Sequence, residues 1–241
     1  FIQHRPGQGR GVREAALAVL RPFITRAFRR PATDVDAGRY VGVVEMAVGD
    51  GEKFEQGIQY AVQAVLVSPE FLFRVETDPR PDDPFSDRPV MDYELASRLS
   101  YFLWSSMPDE ELFRLAERGE LRKPDVLKRQ VVRLLSDGKA RAIVDNFAGQ
   151  WLHLRMLDEM TPDPNVFPDF DVALRNAMKQ ESLLVFQAIM QEDRSVLDFL
   201  DADFTFMNDR LARHYGKEGV TGERFQKVSL KGERRAGILT H

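Results

Sequence analysis

The chain has 241 residues, 43% hydrophobic and 30% charged, which is ordinary globular usage and excludes a largely disordered polypeptide. Its 34 basic and 38 acidic side chains leave a net charge of -4, giving no electrostatic case for a nucleic-acid partner, and no stretch approaches the roughly 20 apolar residues of a membrane span. Cysteine is absent, which excludes disulfides, thiolate metal sites and covalent c-type haem attachment within these residues.

The first 31 residues carry seven Arg and one Glu, and the bland account of that imbalance, a solvated helix face, is preferred over an anionic partner. From Val12 to Phe28 the apolar residues Val12, Ala16, Val19, Leu20, Phe23, Ala27 and Phe28 recur at helical spacing, with Pro22 predicting a kink or break. Thr33-Asp34-Val35-Asp36 has capping-box form and should open a second helix running to about Val48. Phe54, Ile58, Ala61, Val62, Val65 and Leu66 mark a third, ending near Ser68-Pro69. Residues 1–75 therefore read as a three-helix module, and the Pro- and acid-rich stretch 76–90 as a linker.

A larger helical domain is expected over 91–220. It opens with Asp92 as N-cap of an apolar helix from Tyr93 to Trp104, and Ser106-Met107-Pro108-Asp109 offers a second capping box. Short helices should follow at about 109–117 and 124–136, then one after Gly138 holding Ile143, Val144, Phe147, Trp151 and Leu154. The longest should run from about Asp169 to Gln191, with single turns near 196–200 and 209–214. Only Phe225 to Leu230 alternates like a strand. The fold class is all-α, or mainly α: two consecutive helical bundles with a short β or irregular segment near the C-terminus.

No P-loop, zinc-protease helix or nucleophile elbow is present. Gly7-Gln8-Gly9-Arg10-Gly11 is a flexible connector, because Val12 occupies the last glycine position of the dinucleotide fingerprint and no strand precedes it. Asp201-Ala202-Asp203 spaces oxygens like a calcium loop, but Phe206 replaces the turn glycine and Ala212 the closing Glu. A looser cation site from Asp198, Asp201 and Asp203 is weighed against helix-capping acids, and the capping acids are preferred. His4, His153, His214 and His241 are too scattered to propose a metal site, and Met156 and Met160 near His153 give no haem claim.

The informative polar residues sit inside apolar stripes. Glu181 falls on the line Phe170, Leu174, Ala177, Met178, Leu184, Val185 and Ala188, so its carboxylate should be buried and must protonate or recruit a cation. Arg98, between Leu95 and Phe102, is the expected partner across a helix interface, with Glu94 offering a local pair instead. Asn146 and Gln150 form an i, i+4 amide pair beside Trp151, expected to tie a loop to the core. Asp203 and His214 complete the candidate buried polar positions.

Several strings resemble those of the uncharacterised large proteins of planctomycetes and related bacteria. They include Arg26-Ala27-Phe28-Arg29-Arg30-Pro31, Gln63 to Arg74, Tyr93 to Asp109, Asn146 to Leu152, Glu192 to Val196 and Leu211 to Gly216. The resemblance implies two adjacent domains of unknown function, with Arg235 to His241 similar to the opening of a third, so that 221–241 would begin a truncated domain. Both chain ends read as cuts in a longer polypeptide. The resemblance further implies export to the periplasm or cell envelope and a cytochrome c domain upstream, hence c-type haem elsewhere in the parent chain and no cofactor in these residues. Cysteines that relatives carry near the first helix are replaced here, with Gln3, His4, Ala15 and Ala16 in that neighbourhood. Implied partners are other domains of the same polypeptide and a redox or envelope protein. Two functional classes remain: a helical scaffold or interaction module, which is preferred, and part of an enzyme whose active site is completed by other domains.

Overall fold

The computed structural model describes residues 2–7, 9–74, 76, 80, 82–83, 87–233 and 235–240. The fold is mainly α, with a small two-stranded sheet among the described residues. By compactness the chain divides into one unit of residues 1–101 and 106–128 and a second of 102–105 and 129–241.

The first unit is built on α1 (Val12–Phe28), α2 (Asp34–Gly49) and α3 (Phe54–Leu66), followed by the single turn α4 (Pro69–Leu72). α1 continues through Pro22 without a break. The predicted capping box opens α2: Thr33 Oγ1 accepts from the Asp36 amide at 3.1 Å, and the Asp36 carboxylate accepts from the Thr33 amide at 2.9 Å. Arg30 donates to the same carboxylate at 2.6 Å, and chiefly this bond holds Asp36 well below the usual carboxylate range. Leu20, Ile24, Val41, Val44 and Ile58 form the centre of the core.

α2 and α3 approach closely at Gly57, where a Cβ would lie 3.1 Å from Val44 Cγ1 and 3.2 Å from its Cα. Gly57→Val is therefore expected to destabilise the fold by about 2 kcal/mol through overpacking. Gly38→Ala, in α2 where an added Cβ meets nothing within 4 Å, should be neutral or slightly stabilising. Urea unfolding of both variants checks the contrast.

Arg29 ends α1 in the left-handed region (φ 56°) with only 6% of its surface exposed. Its guanidinium donates to the carbonyls of Glu70 (2.7 Å), Phe71 (3.2 Å) and Phe73 (2.7 Å), and lies 5.8 Å from the centre of the Tyr101 ring. A buried cation thus serves the unpaired carbonyls around the end of α4. α5 (Asp92–Trp104) and α6 (Glu110–Glu117) follow. Asp92 is the first residue of α5 and not its N-cap as the sequence suggested: it is buried, and its carboxylate accepts from the Leu121 amide at 2.8 Å and Arg122 Nε at 2.6 Å. The N-cap of α6 is Asp109, whose side chain accepts from Leu112 N, and not Ser106 as the sequence suggested; a side chain can reach the amide two or three residues on only from the position flanking the helix.

Compactness does not follow the expected boundary at residue 91, because α5 up to Tyr101 and all of α6 belong to the first unit; α7 (Pro124–Ser136) passes from the first unit to the second after Lys128. Residues 77–79, 81 and 84–86 of the linker assigned to 76–90 lie outside the described residues. Of those described, Arg88 donates to Glu94 at 2.7 Å and 3.0 Å.

In the second unit Trp104 is buried and its indole N–H donates to Leu134 O at 2.9 Å, with Lys139 Nζ 4.7 Å from the ring centre. The helix expected after Gly138 is not uniform. A 3-10 turn at Gly138–Ala140 leads into α8 (Arg141–Ile143), a π-helical turn at Val144–Ala148, and α9 (Gly149–Trp151). The long helix α10 (Val172–Gln191) is capped by Asp171, which accepts from Leu174 N at 2.6 Å. α11 (Asp198–Asp201), β1 (Phe204–Met207), α12 (Asp209–His214) and β2 (Gln226–Ser229) complete the unit. β1 pairs antiparallel with β2, with Thr205 opposite Val228. Its apolar pattern was obscured by the acids Asp201 and Asp203 just before it. The stretch 221–241, expected to begin another domain, contributes its described residues to this unit: β2 completes the sheet, and Leu230 N donates to Asp203 O at 2.7 Å.

Candidate functional site

Two features of the second unit stand out chemically. The first is centred on Glu181. α10 buries Leu174, Ala177, Glu181, Ser182, Val185, Ala188 and Ile189 along one face, so the helical period alone delivers a carboxylate to the interior. Glu181 is fully buried. β1 places Thr205, itself fully buried, beneath it, and the Thr205 hydroxyl donates to Oε1 at 2.6 Å. Tyr215, just after α12, donates its hydroxyl to Oε2 at 3.0 Å. Arg235 Nη2 donates to Oε1 at 3.3 Å, and its guanidinium carbon lies 3.6 Å from the centre of the Tyr215 ring.

Burial pushes the Glu181 carboxyl above its usual value, against the lowering pull of Thr205, Arg235 and Tyr215. Burial and the neighbouring Glu181 charge push the Tyr215 phenol up to about 12, so it remains a donor at neutral pH. The arrangement joins α10, β1, α12 and the segment after β2 through one carboxylate.

The second feature is an aromatic face. Phe147, on the π-helical turn, stacks on Trp151 at 6.0 Å with 24° between the rings, and contacts Phe102 at 6.2 Å. Trp151 meets Phe199 edge-on at 5.7 Å. Phe102, Phe147 and Trp151 remain 58%, 45% and 51% exposed, which is unusual for three contacting large aromatics.

The remaining candidates do not join Glu181. Arg98 is exposed and makes a two-pronged pair with Glu76, Nε to Oε1 at 2.7 Å and Nη2 to Oε2 at 2.6 Å. The expected Arg98–Glu181 pair is therefore corrected: the inward side of α5 carries Ala96, Ser97 and Ser100, while Arg98 shares its line with exposed Phe102. Asn146 is also exposed, and its amide donates to Ser105 Oγ at 2.8 Å, not to a backbone group. Gln150 is exposed as well, so neither amide ties a loop to the core, and the π-helical turn at Val144–Ala148 lies in the stretch that separates them. Asp203 is exposed, 3.6 Å from Lys231, and exposed His214 lies with its ring 5.2 Å from that of Tyr215. Asp198 pairs with Arg194 at 2.6 Å. Among the described residues no group of three or more His, Cys, Asp or Glu is placed to hold a metal ion, and no helix is long and apolar enough to cross a membrane. His241 lies outside the described residues. Sequence reasoning found Glu181 and missed its partners Thr205, Tyr215 and Arg235; the short alternation Phe204-Thr205-Phe206 hints at a strand but not at its placement beside α10.

A family model described as PSD5, protein of unknown function (DUF1595), matches residues 15–76. No curated protein and no solved structure matches the chain. A second model, described as PSD4, protein of unknown function (DUF1592), matches residues 90–216, slightly more than half of the chain. The chain belongs to this PSD4 (DUF1592) family, with a PSD5-like region preceding the matched domain.

Proposed function

We propose that the chain is a helical scaffold and interaction module of a larger, exported, cytochrome-c-associated protein, working in the periplasm or cell envelope and holding no cofactor of its own. The observation that carries the proposal is the aromatic face of Phe102, Phe147 and Trp151, exposed in a unit whose buried Glu181 is engaged by the chain's own side chains. Exposed contacting aromatics suit a binding surface, since they supply area at little conformational cost. The dispersal of Arg98, Asn146, Asp203 and His214 among separate partners supports the scaffold over a shared catalytic centre. The partners proposed are other domains of the same polypeptide or a redox protein of the envelope.

The haem setting is tested by visible absorption of the full-length parent and of this chain, each with and without dithionite. A reducible c-type band in the parent and none in the chain is the expected result. Absence of the band from the parent would remove the electron-transfer setting.

A further inference from the structure

Residues 235–240 lie across the second unit in an unusual way. Arg235 sends its guanidinium to buried Glu181 while keeping 22% of its side chain exposed. It does not make the two-pronged fork that guanidinium and carboxylate favour. Nη2 reaches Oε1 at 3.3 Å, Nε donates to Thr240 O at 3.2 Å, and Nη1 is buried without a hydrogen-bond partner among the described residues.

The segment is folded largely on itself. The Thr240 hydroxyl accepts from Ala236 N at 3.0 Å and donates to Gly237 O at 3.2 Å. Its backbone bond to the body is Gly237 N to Ala202 O at 3.2 Å; Ile238 is partly buried against Val185, Ala188, Ile189, Ala202 and Phe204, and Leu239 is 77% exposed. Gly237 has φ +61°, and a Cβ there would fall 2.3 Å from the Leu200 carbonyl carbon, so docking requires glycine at this position.

We propose that Glu181, Thr205 and Tyr215 form a guanidinium-binding pocket which the chain fills with its own Arg235, and that residues 235–240 are a detachable strap docked through that pocket. The carboxylate supplies the charge, the Tyr215 ring face the cation–π surface, and the Thr205 hydroxyl orients the acceptor oxygen. An imperfect fork, one backbone bond to the body among the described residues and the partly buried side chains of Ala236 and Ile238 are what hold the strap, so the pocket is its main charged anchor.

Two variants vacate the pocket by different routes. Arg235→Ala removes the occupant, while Gly237→Val keeps Arg235 and pushes the strap off Leu200. Methylguanidinium chloride is titrated into each, against equal sodium chloride, following the Thr205 amide by NMR. Both variants are expected to show saturable shifts, while wild type and the Glu181→Gln/Arg235→Ala double variant show none. Equal shifts in the double variant, or none in either folded single variant, would overturn the pocket. Hydrogen exchange on the wild-type chain needs no variant to fold. The Gly237 amide should exchange on the order of a hundredfold faster than amides at the centre of α10, by local opening. Exchange of Gly237 only together with α10 would show that the strap does not detach.

Discussion

Arg29→Ala is expected to lower the stability of the first unit by about 3 kcal/mol, a large fraction of what a domain of this size holds. The substitution removes a buried cation and leaves the carbonyls of Glu70, Phe71 and Phe73 without the donor they share. A hydrogen bond to a charged donor contributes about 1.5–3 kcal/mol, and because these three bonds are part-buried the freed carbonyls partly rehydrate, which brings the net loss to about 3 kcal/mol. The contact with the Tyr101 ring is lost as well. Arg29→Lys should recover only part, because an ammonium group cannot present planar donors to three acceptors at once. Neutralising Arg98 instead should cost far less than Arg29→Ala, since its pair with Glu76 is exposed to solvent. Denaturant unfolding followed by far-UV circular dichroism compares the three; equal costs for Arg29→Ala and Arg98→Ala would contradict the account.

Glu181→Ala is expected to destabilise the second unit by about 4 kcal/mol, because it leaves the Thr205 and Tyr215 hydroxyls and the Arg235 guanidinium facing a hole. Glu181→Gln should cost less and carries the more specific test, a pH dependence. Burial raises the Glu181 carboxyl above its unfolded value of about 4.3. A group with a raised folded-state value contributes stability that is complete below the unfolded value and is lost as pH rises through the folded one. The stability of wild type relative to Glu181→Gln should therefore decline from about pH 4 upward until Glu181 is ionised in both states. Asp36 and Glu76, held below their usual values mainly by Arg30 and Arg98, give total stability the opposite slope. The difference between the two proteins isolates Glu181 and is the quantity to measure. A difference that grows with pH would contradict a carboxyl raised by burial.

The sequence made local chemistry legible and left tertiary chemistry hidden. Thr33 and Asp36 announce their capping box because both partners lie within one helical turn. Glu181 is visible because 3.6-residue periodicity alone fixes which face of α10 is buried. Its partners lie 24, 34 and 54 residues away, on elements whose placement no local pattern reports. Arg98 was misplaced for a related reason: Leu95 and Phe102 suggest a core line, but Phe102 is exposed and the buried positions of α5 are Asp92, Ala96, Ser97, Ser100, Leu103 and Trp104. Arg29 gave no signal in a run of arginines, since its backbone leads into α2 while the carbonyls its guanidinium serves lie 41 to 44 residues further on, at the end of α4. The π-helical turn at Val144–Ala148 shifts the helical phase, and apolar spacing cannot register an inserted residue.

The exposed aromatic face bears the weight of the functional proposal. The measurement that tests it most directly is the association of this chain with the remainder of the proposed parent polypeptide, supplied separately, by sedimentation velocity. The wild-type chain is expected to form a complex that Trp151→Ala weakens at least tenfold without altering the helical circular dichroism. No association of the wild-type chain, or equal association of Trp151→Ala, would contradict an interaction module working through that face.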